Sequence, residues 1–395
     1  EDLSRFANNM IHQSVSLTDS LVHVRLIFGK KIGVARTNRL DTEGVREAVN
    51  QAHALALLQK EDPHFVGLPA KASYPSTQES YQKEAHIGAL GRSKAIAHII
   101  SQAKKAKLSA SGAFVESESV NSVANSNGVW AFQKGVSASL STILMGDKGS
   151  GFASHSGKGG SSIDVTSVAR RAVYKATYGK LIEVPPGEYE VILEPPAVAE
   201  LMDFFSWLGP NARIYHEDVS FYQGNIGKKL FHPALTIYDD PLLPLGYPVG
   251  FDWEGFPKKK ITLVEKGVLK TVAYDSYHAA KHNMKNTGHA LLAPNTFGPI
   301  PTHLVIEPGR QTLATAIKNV KKGLLVTRFW YTRVIHHKKL LLTGMTRDGT
   351  FYIENGKIVG RARNLRYTDS VVAVLKDIRG VGKNLELVGS EGSPS

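Results

Sequence analysis

The chain has 395 residues, 42% of them hydrophobic and 21% charged, which is enough for more than one core and gives about two domains as the default count. It contains no cysteine, so disulfide frameworks, thiolate zinc sites, iron–sulfur clusters and cysteine nucleophiles are excluded, and any metal must be held by nitrogen or oxygen. The formal charge of +13 is divided, +8 in residues 1–180 and +5 in 181–395. Nucleic-acid binding is therefore a weak reading, and Lys258-Lys259-Lys260, Lys321-Lys322 and Lys338-Lys339 read as solvated turns.

From the N-terminus, residues 5–15 read as one mixed strand. Residues 21–28 alternate polar and apolar, turn at Gly29-Lys30-Lys31 and return over 32–37 as a hairpin. Asp41 and Thr42 supply N-cap chemistry for an amphipathic helix over 42–59, with Val45, Val49, Ala52, Leu55 and Ala56 as its stripe. A proline-bearing loop leads to a second helix carrying Ala95, Ile96, Ile99, Ile100 and Ala103. Residues 108–161, rich in Ser, Gly, Asn and Val, read as hairpins with Asn127-Gly128 as a tight turn. A third helix over 164–175 closes the first domain, 1–183, and Pro185-Pro186-Gly187 opens the second, 184–395.

The second domain begins with a strand over 189–193 and an apolar helix over 197–208, ended by Gly209-Pro210. Strands are expected over 235–238, 260–265, 269–274, 303–307, 323–334, 339–343 and 350–353, and helices over 311–321 and 368–378. This order fits an α+β fold: an N-terminal domain of hairpins and helices, and a C-terminal domain of mainly antiparallel β-structure. No apolar run approaches the roughly 20 residues of a membrane span, and Glu1-Asp2 opens no signal-peptide pattern, so a cytoplasmic protein is expected. A start at Glu1 in place of Met reads as a lost native beginning.

Chemical motifs are sparse. There is no P-loop, dinucleotide fingerprint or nucleophile elbow, and the glycines of 149–160 read as a mobile loop. His216-Glu217 opens like a zinc-peptidase helix, but Ser220 and Phe221 stand where the second histidine belongs. His278 and His282 share a helical face with His289 close by in sequence, and read as surface histidines; His336-His337 reads as a hairpin tip. Asp239-Asp240 fits either paired carboxylates or the turn chemistry of Asp-Asp-Pro after a strand.

Several stretches, in order and across nearly the whole chain, resemble the TldD/TldE (PmbA) family of metallopeptidase-related proteins. They are Ser4-Arg5-Phe6-Ala7-Asn8-Asn9, Leu235-Thr236-Ile237-Tyr238-Asp239-Asp240, Phe251-Asp252-Trp253-Glu254-Gly255, Thr287-Gly288-His289-Ala290, Arg328-Phe329-Trp330-Tyr331-Thr332-Arg333 and Leu341-Leu342-Thr343-Gly344-Met345-Thr346-Arg347-Asp348-Gly349. In that family the metal-bearing TldD subunit carries H-E-x-x-x-H on the helix that matches 198–208, and TldE lacks it. Here that helix has Glu200 and Asp203 but no histidine.

The resemblance implies a TldE-like member without its own zinc, the metal being expected in a TldD-like partner. The implied substrate is an unfolded or extended peptide, and the implied partner is that metal-bearing subunit or a second copy of this chain. His216, Glu217, Asp239, Asp240, Arg328 and Arg347 are the candidate cleft or substrate-binding residues, with no catalytic or metal-ligating residue assigned. The alternative is a homodimeric peptide- or ligand-binding protein of the same fold without protease activity.

Overall fold

The computed structural model describes residues 1–77, 85–147 and 149–389. Strands β1 (Asp2–Ala7) and β2 (Met10–Ser16) form a hairpin where one continuous strand is expected. The break falls at Asn8 and Asn9, whose φ values of 51° and 61° are the left-handed pair of a tight hairpin turn that asparagine tolerates. Asn9 also fixes the turn in place: its side chain donates to the Leu108 carbonyl at 3.0 Å and accepts from the Ala110 N–H at 2.8 Å.

Strands β3 (Val22–Phe28) and β4 (Lys31–Thr37) pair as the alternation predicts, and α1 (Thr42–Leu58) lies on them through a stripe of small residues, Ala48, Ala52 and Ala56. The approach is so close that a Cβ at Gly33 would sit 1.9 Å from the Ala52 carbonyl oxygen. Asp41 caps α1, accepting from Gly44 N–H at 2.6 Å.

Next come α2 (Gly88–Lys105), β5 (Ser109–Ala124), β6 (Trp130–Gly146), β7 (Gly149–Gly157) and α3 (Val165–Thr177). The sheet order is β2-β1-β5-β6-β7, antiparallel throughout, and α2 and α3 bury Ile96, Ile99, Val168 and Ala172 with Phe114, Leu140 and Leu144. The glycine-rich stretch read as a mobile loop is therefore mostly strand. Its glycines serve close packing, since a Cβ at Gly151 would lie 2.3 Å from the Ala172 carbonyl oxygen on α3.

The remaining elements are β8 (Leu181–Ile182), β9 (Glu190–Leu193), α4 (Pro195–Leu208), α5 (Ala212–His216), β10 (Ile237–Asp239), β11 (Ile261–Glu265), β12 (Val268–Leu269), α6 (Ser276–Lys281), β13 (Leu304–Ile306), α7 (Leu313–Asn319), β14 (Lys322–His336), β15 (Leu341–Glu354), β16 (Lys357–Ala362), β17 (Arg366–Ser370) and α8 (Val371–Lys376). One sheet runs β12-β11-β10-β13. The other runs β8-β16-β15-β14-β9, with β17 added to β15.

Between these two sheets α4 buries Ala197, Leu201, Phe205 and Leu208 against Leu263, Val326, Phe329 and Leu342. The observed α+β architecture with antiparallel sheets is the expected one, apart from the parallel additions of β8 and β9 at the edges. The strand expected over 269–274 stops at Leu269 because Ala273 turns away to bridge Asn211. No helix among the described residues is long and apolar enough to cross a membrane.

Polar contacts among the described residues join the N-terminal sheet layer to the C-terminal one, three of them around α3 and β7. Ser150 on β7 donates to Asp348 at 2.6 Å, Lys175 on α3 meets Glu194 at 2.5 Å, and Arg361 caps the C-terminal end of α3 through the carbonyls of Ala176 (2.8 Å), Tyr178 (3.0 Å) and Gly179 (3.3 Å).

Candidate functional site

Unusual local geometry lies on β14 and β15. Their pairing register shifts between Val326 and Arg328 and again between Trp330 and Arg333, and Tyr331 adopts φ 55°, a left-handed conformation rare for a bulky residue. Backbone strain of this kind, costing on the order of 1–3 kcal/mol, persists where the surroundings enforce it and concentrates at functional sites.

The bulge turns an aromatic pair outward: Trp330 is 40% exposed and Tyr331 59%, with ring centroids 4.2 Å apart. Arginines cover the pair. The Arg347 guanidinium stands 3.5 Å over the Trp330 ring, and Arg333 lies 5.3 Å from Tyr331.

Arg328 and Arg347, expected site residues 19 positions apart in sequence, are direct cross-strand partners. Both meet Asp348: Arg328 through Nε at 3.2 Å and a second nitrogen at 2.5 Å, Arg347 through Nε at 3.7 Å. Beneath the aromatic pair, the buried Thr332 hydroxyl donates to Glu200 on α4 and lies 3.1 Å from the Tyr367 hydroxyl. Burial pushes the Tyr367 phenol up to about 12, so it stays protonated and can donate in this chain.

Glu200 already accepts the Thr332 hydroxyl, α4 carries no imidazole, and no group of three or more His, Asp or Glu side chains suited to a metal occurs among the described residues.

Asp239 belongs to a separate buried cluster. Its carboxylate is fully buried, receives the His303 N–H at 2.6 Å and lies 3.1 Å from His289 Nε2. Burial opposes its charge, but the His289 hydrogen bond and the nearby Lys258 outweigh that and hold its pKa below the ordinary value. Two expectations fail here. His289 is 1% exposed and so is not a surface histidine, and Lys258 is 7% exposed and so is not part of a solvated run. Lys258 is tolerated inside because it faces Asp239 and Asp252; even so, burial lowers its pKa. Asp252 accepts from the main-chain N–H groups of Phe256 (2.8 Å), Glu254 (3.0 Å) and Ala290 (3.0 Å), yet burial and the Glu254 charge raise it to about 7. Asp240 stays at the surface side, accepting from Leu242 N–H at 3.2 Å, with Lys260 at 3.6 Å.

His303, which the sequence reading passed over, has its imidazole pushed down to about 4 by burial and then by the Lys258 charge. The folded protein thus binds fewer protons at this site than the unfolded chain near pKa 6.5. The contribution is present above that value and lost as pH falls toward 4. Each such group changes stability by at most about 1.4 kcal/mol per pH unit. Urea unfolding at about pH 7.5 and about pH 5.5 should therefore show His303→Gln losing less stability on acidification than the unmodified chain. Equal losses would refute this assignment. The comparison isolates His303 from Asp252, whose raised pKa works in the opposite direction.

His216 and Glu217 sit in a third place, at the end of α5. The His216 ring stacks on His282 with centroids 3.4 Å apart and reaches the Tyr274 hydroxyl at 3.0 Å, while Glu217 pairs with Arg213 at 3.0 Å. Burial, then the charges of His282, His278 and Lys281, push His216 down to about 4. The six expected site residues therefore separate into three groups, and only Arg328 and Arg347 adjoin α4's Glu200 through the bulge. The signal for that bulge was visible in Arg328-Phe329-Trp330-Tyr331-Thr332-Arg333, where consecutive Trp and Tyr interrupt the alternation of a strand.

Comparison with known proteins identifies the fold and the family. A metalloprotease of Methanothermobacter thermautotrophicus is 24% identical over 292 residues, covering 69% of this chain and 62% of that protein's length. A TldD metalloprotease homologue of Buchnera aphidicola is 24% identical over 96% of this chain and 82% of its own length. The crystal structure of TldE from Thermococcus kodakarensis has the same fold, with a TM-score of 0.88 at 24% identity over 98% of this chain and 90% of that one. Residues 3–56 match PmbA/TldA metallopeptidase domain 1, 73–178 the central domain, and 186–395 the C-terminal domain. With the last match alone spanning more than half of the sequence, the chain belongs to the PmbA/TldA metallopeptidase family, the TldD/PmbA group that its motifs resemble.

Proposed function

We propose that this chain is the TldE-like subunit of a TldD/TldE-type zinc metallopeptidase acting on unfolded or extended peptides. It supplies cleft and partner interface, and a TldD-like subunit supplies the zinc. The observation that carries this reading is the occupied state of α4: where the metal-bearing subunit needs a histidine-glutamate pair, this helix presents Glu200 committed to Thr332 and no imidazole.

Co-expression with a TldD-like chain bearing H-E-x-x-x-H tests it. The expected result is a complex holding about one zinc per pair of subunits, which degrades unfolded casein while this chain alone does not. Stoichiometric zinc or proteolysis in this chain alone would overturn the assignment. A stable homodimer with neither partner nor proteolysis would point to the ligand-binding alternative.

A further inference from the structure

The edge of β14 is only partly covered. Strand β9 pairs with it from Gly323 to Val326, and no strand among the described residues pairs with that side of β14 from Arg328 to His336. An open edge is a template for an added strand, here in short stretches on either side of the register shift between Trp330 and Arg333. The bulge places Trp330 and Tyr331 along it, with Ile335 also 54% exposed.

The charge around this edge is one-sided. Arg333 makes a hydrogen bond to its neighbour's Thr332 carbonyl at 3.0 Å, and no carboxylate lies within ion-pair distance of it among the described residues. Arg347 is one-third exposed. The two local acids are engaged: Asp348 by Arg328 and Ser150, Glu200 by Thr332. Planar guanidinium groups held against aromatic rings are pre-organised for carboxylates.

We infer that the open edge of β14 binds an extended acidic peptide, the main chain adding as a strand and aspartate or glutamate side chains pairing with Arg333 and Arg347 over the Trp330–Tyr331 platform. This names the substrate class for the subunit role above and rests on that role only for its biological meaning, because the binding itself belongs to this chain alone.

The test is fluorescence anisotropy on the isolated full chain with labelled ten-residue peptides, one Asp/Glu-rich, one Ser/Gly-rich and one Lys-rich, and an oligothymidylate of equal length. The acidic peptide is expected to bind at least about tenfold tighter than the neutral one, with Arg333→Gln and Arg347→Gln each lowering its affinity about tenfold. Trp330→Leu should weaken acidic and neutral peptides alike. Equal affinity for all three peptides, or tighter binding of the oligothymidylate, overturns the inference. If a variant fails to fold, the peptide series on the unmodified chain still decides. Selective acidic binding without a TldD-like partner's complex would sink the subunit role alone, and partner-dependent proteolysis without acidic selectivity would sink this inference alone.

Discussion

Glu116→Leu is expected to unfold the N-terminal sheet layer at ordinary temperature, the largest loss of stability anticipated for any single substitution in this chain. The Glu116 side chain is fully buried on β5. It accepts from Arg92 at 2.8 Å and from the main-chain N–H groups of Ile87 at 2.9 Å and Gly160 at 3.0 Å. It therefore ties α2, the segment after β7 and the central strand of the sheet to one another.

Leucine would leave Arg92, itself 2% exposed, with Ser4 at 3.2 Å and Asp2 at 3.7 Å as its remaining partners. Removing one member of a buried ion pair costs about 3–5 kcal/mol, and each buried N–H left unsatisfied costs a further 1–3, against a total stability of roughly 5–15. Arg92→Leu should cost less, because Glu116 would keep its two main-chain donors. Circular dichroism and hydrogen exchange over residues 85–165 give the readout. A Glu116→Leu chain with unmodified exchange protection there would show that the carboxylate is not the tie. The same contact explains Gly160, where a Cβ would stand 2.3 Å from Glu116 Oε1, so this glycine serves a carboxylate and not a bound phosphate.

What could be read from sequence follows from how far each feature reaches along the chain. Periodic patterns produced α1, α3 and the β3–β4 hairpin as elements, but not the buried face of α1, which is Ala48, Ala52 and Ala56 while the stripe residues Val49 and Leu55 are exposed. The Asn8-Asn9 turn was hidden inside a run that alternates well enough on both sides. Strand β7 fell within the hairpins expected over 108–161, but its glycines also read as a mobile loop because glycine and serine have too little side chain to show alternation. Lys258 looked solvated since its neighbours in sequence are lysines, while the groups that hold it inside, Asp239 and Asp252, arrive from other segments. The motif resemblance identified Arg328 and Arg347 as site residues, but only the register of β14 on β15 makes them neighbours, and sequence does not carry register.

Asp348→Asn separates the two roles of the bulged strands, since stability and binding are expected to move in opposite directions. Asp348 sits at φ 52°, a conformation that asparagine accepts more readily than alanine, so the backbone of the bulge should be retained. The asparagine carbonyl can still accept from Ser150, preserving that link between the two sheet layers. The lost component is the negative charge that Arg328 meets with two nitrogens and that Arg347 approaches at 3.7 Å.

For a largely buried pair, loss of that charge should cost roughly 2–3 kcal/mol, somewhat less than full removal because the Ser150 contact survives. Asp348→Ala should cost more by about 1–2 kcal/mol, from the left-handed backbone that alanine resists and the loss of Ser150's acceptor. Urea midpoints of the two variants measure this order, and an alanine variant as stable as the asparagine one would refute it. In the same Asp348→Asn protein, Arg347 no longer shares its charge with an internal carboxylate. Its pull on an incoming acidic side chain should grow, tightening acidic-peptide binding a few-fold while leaving the neutral peptide unchanged. A variant that loses stability and acidic-peptide affinity together would mean that Asp348 acts by holding the arginines in place, and that its charge does not compete with the peptide.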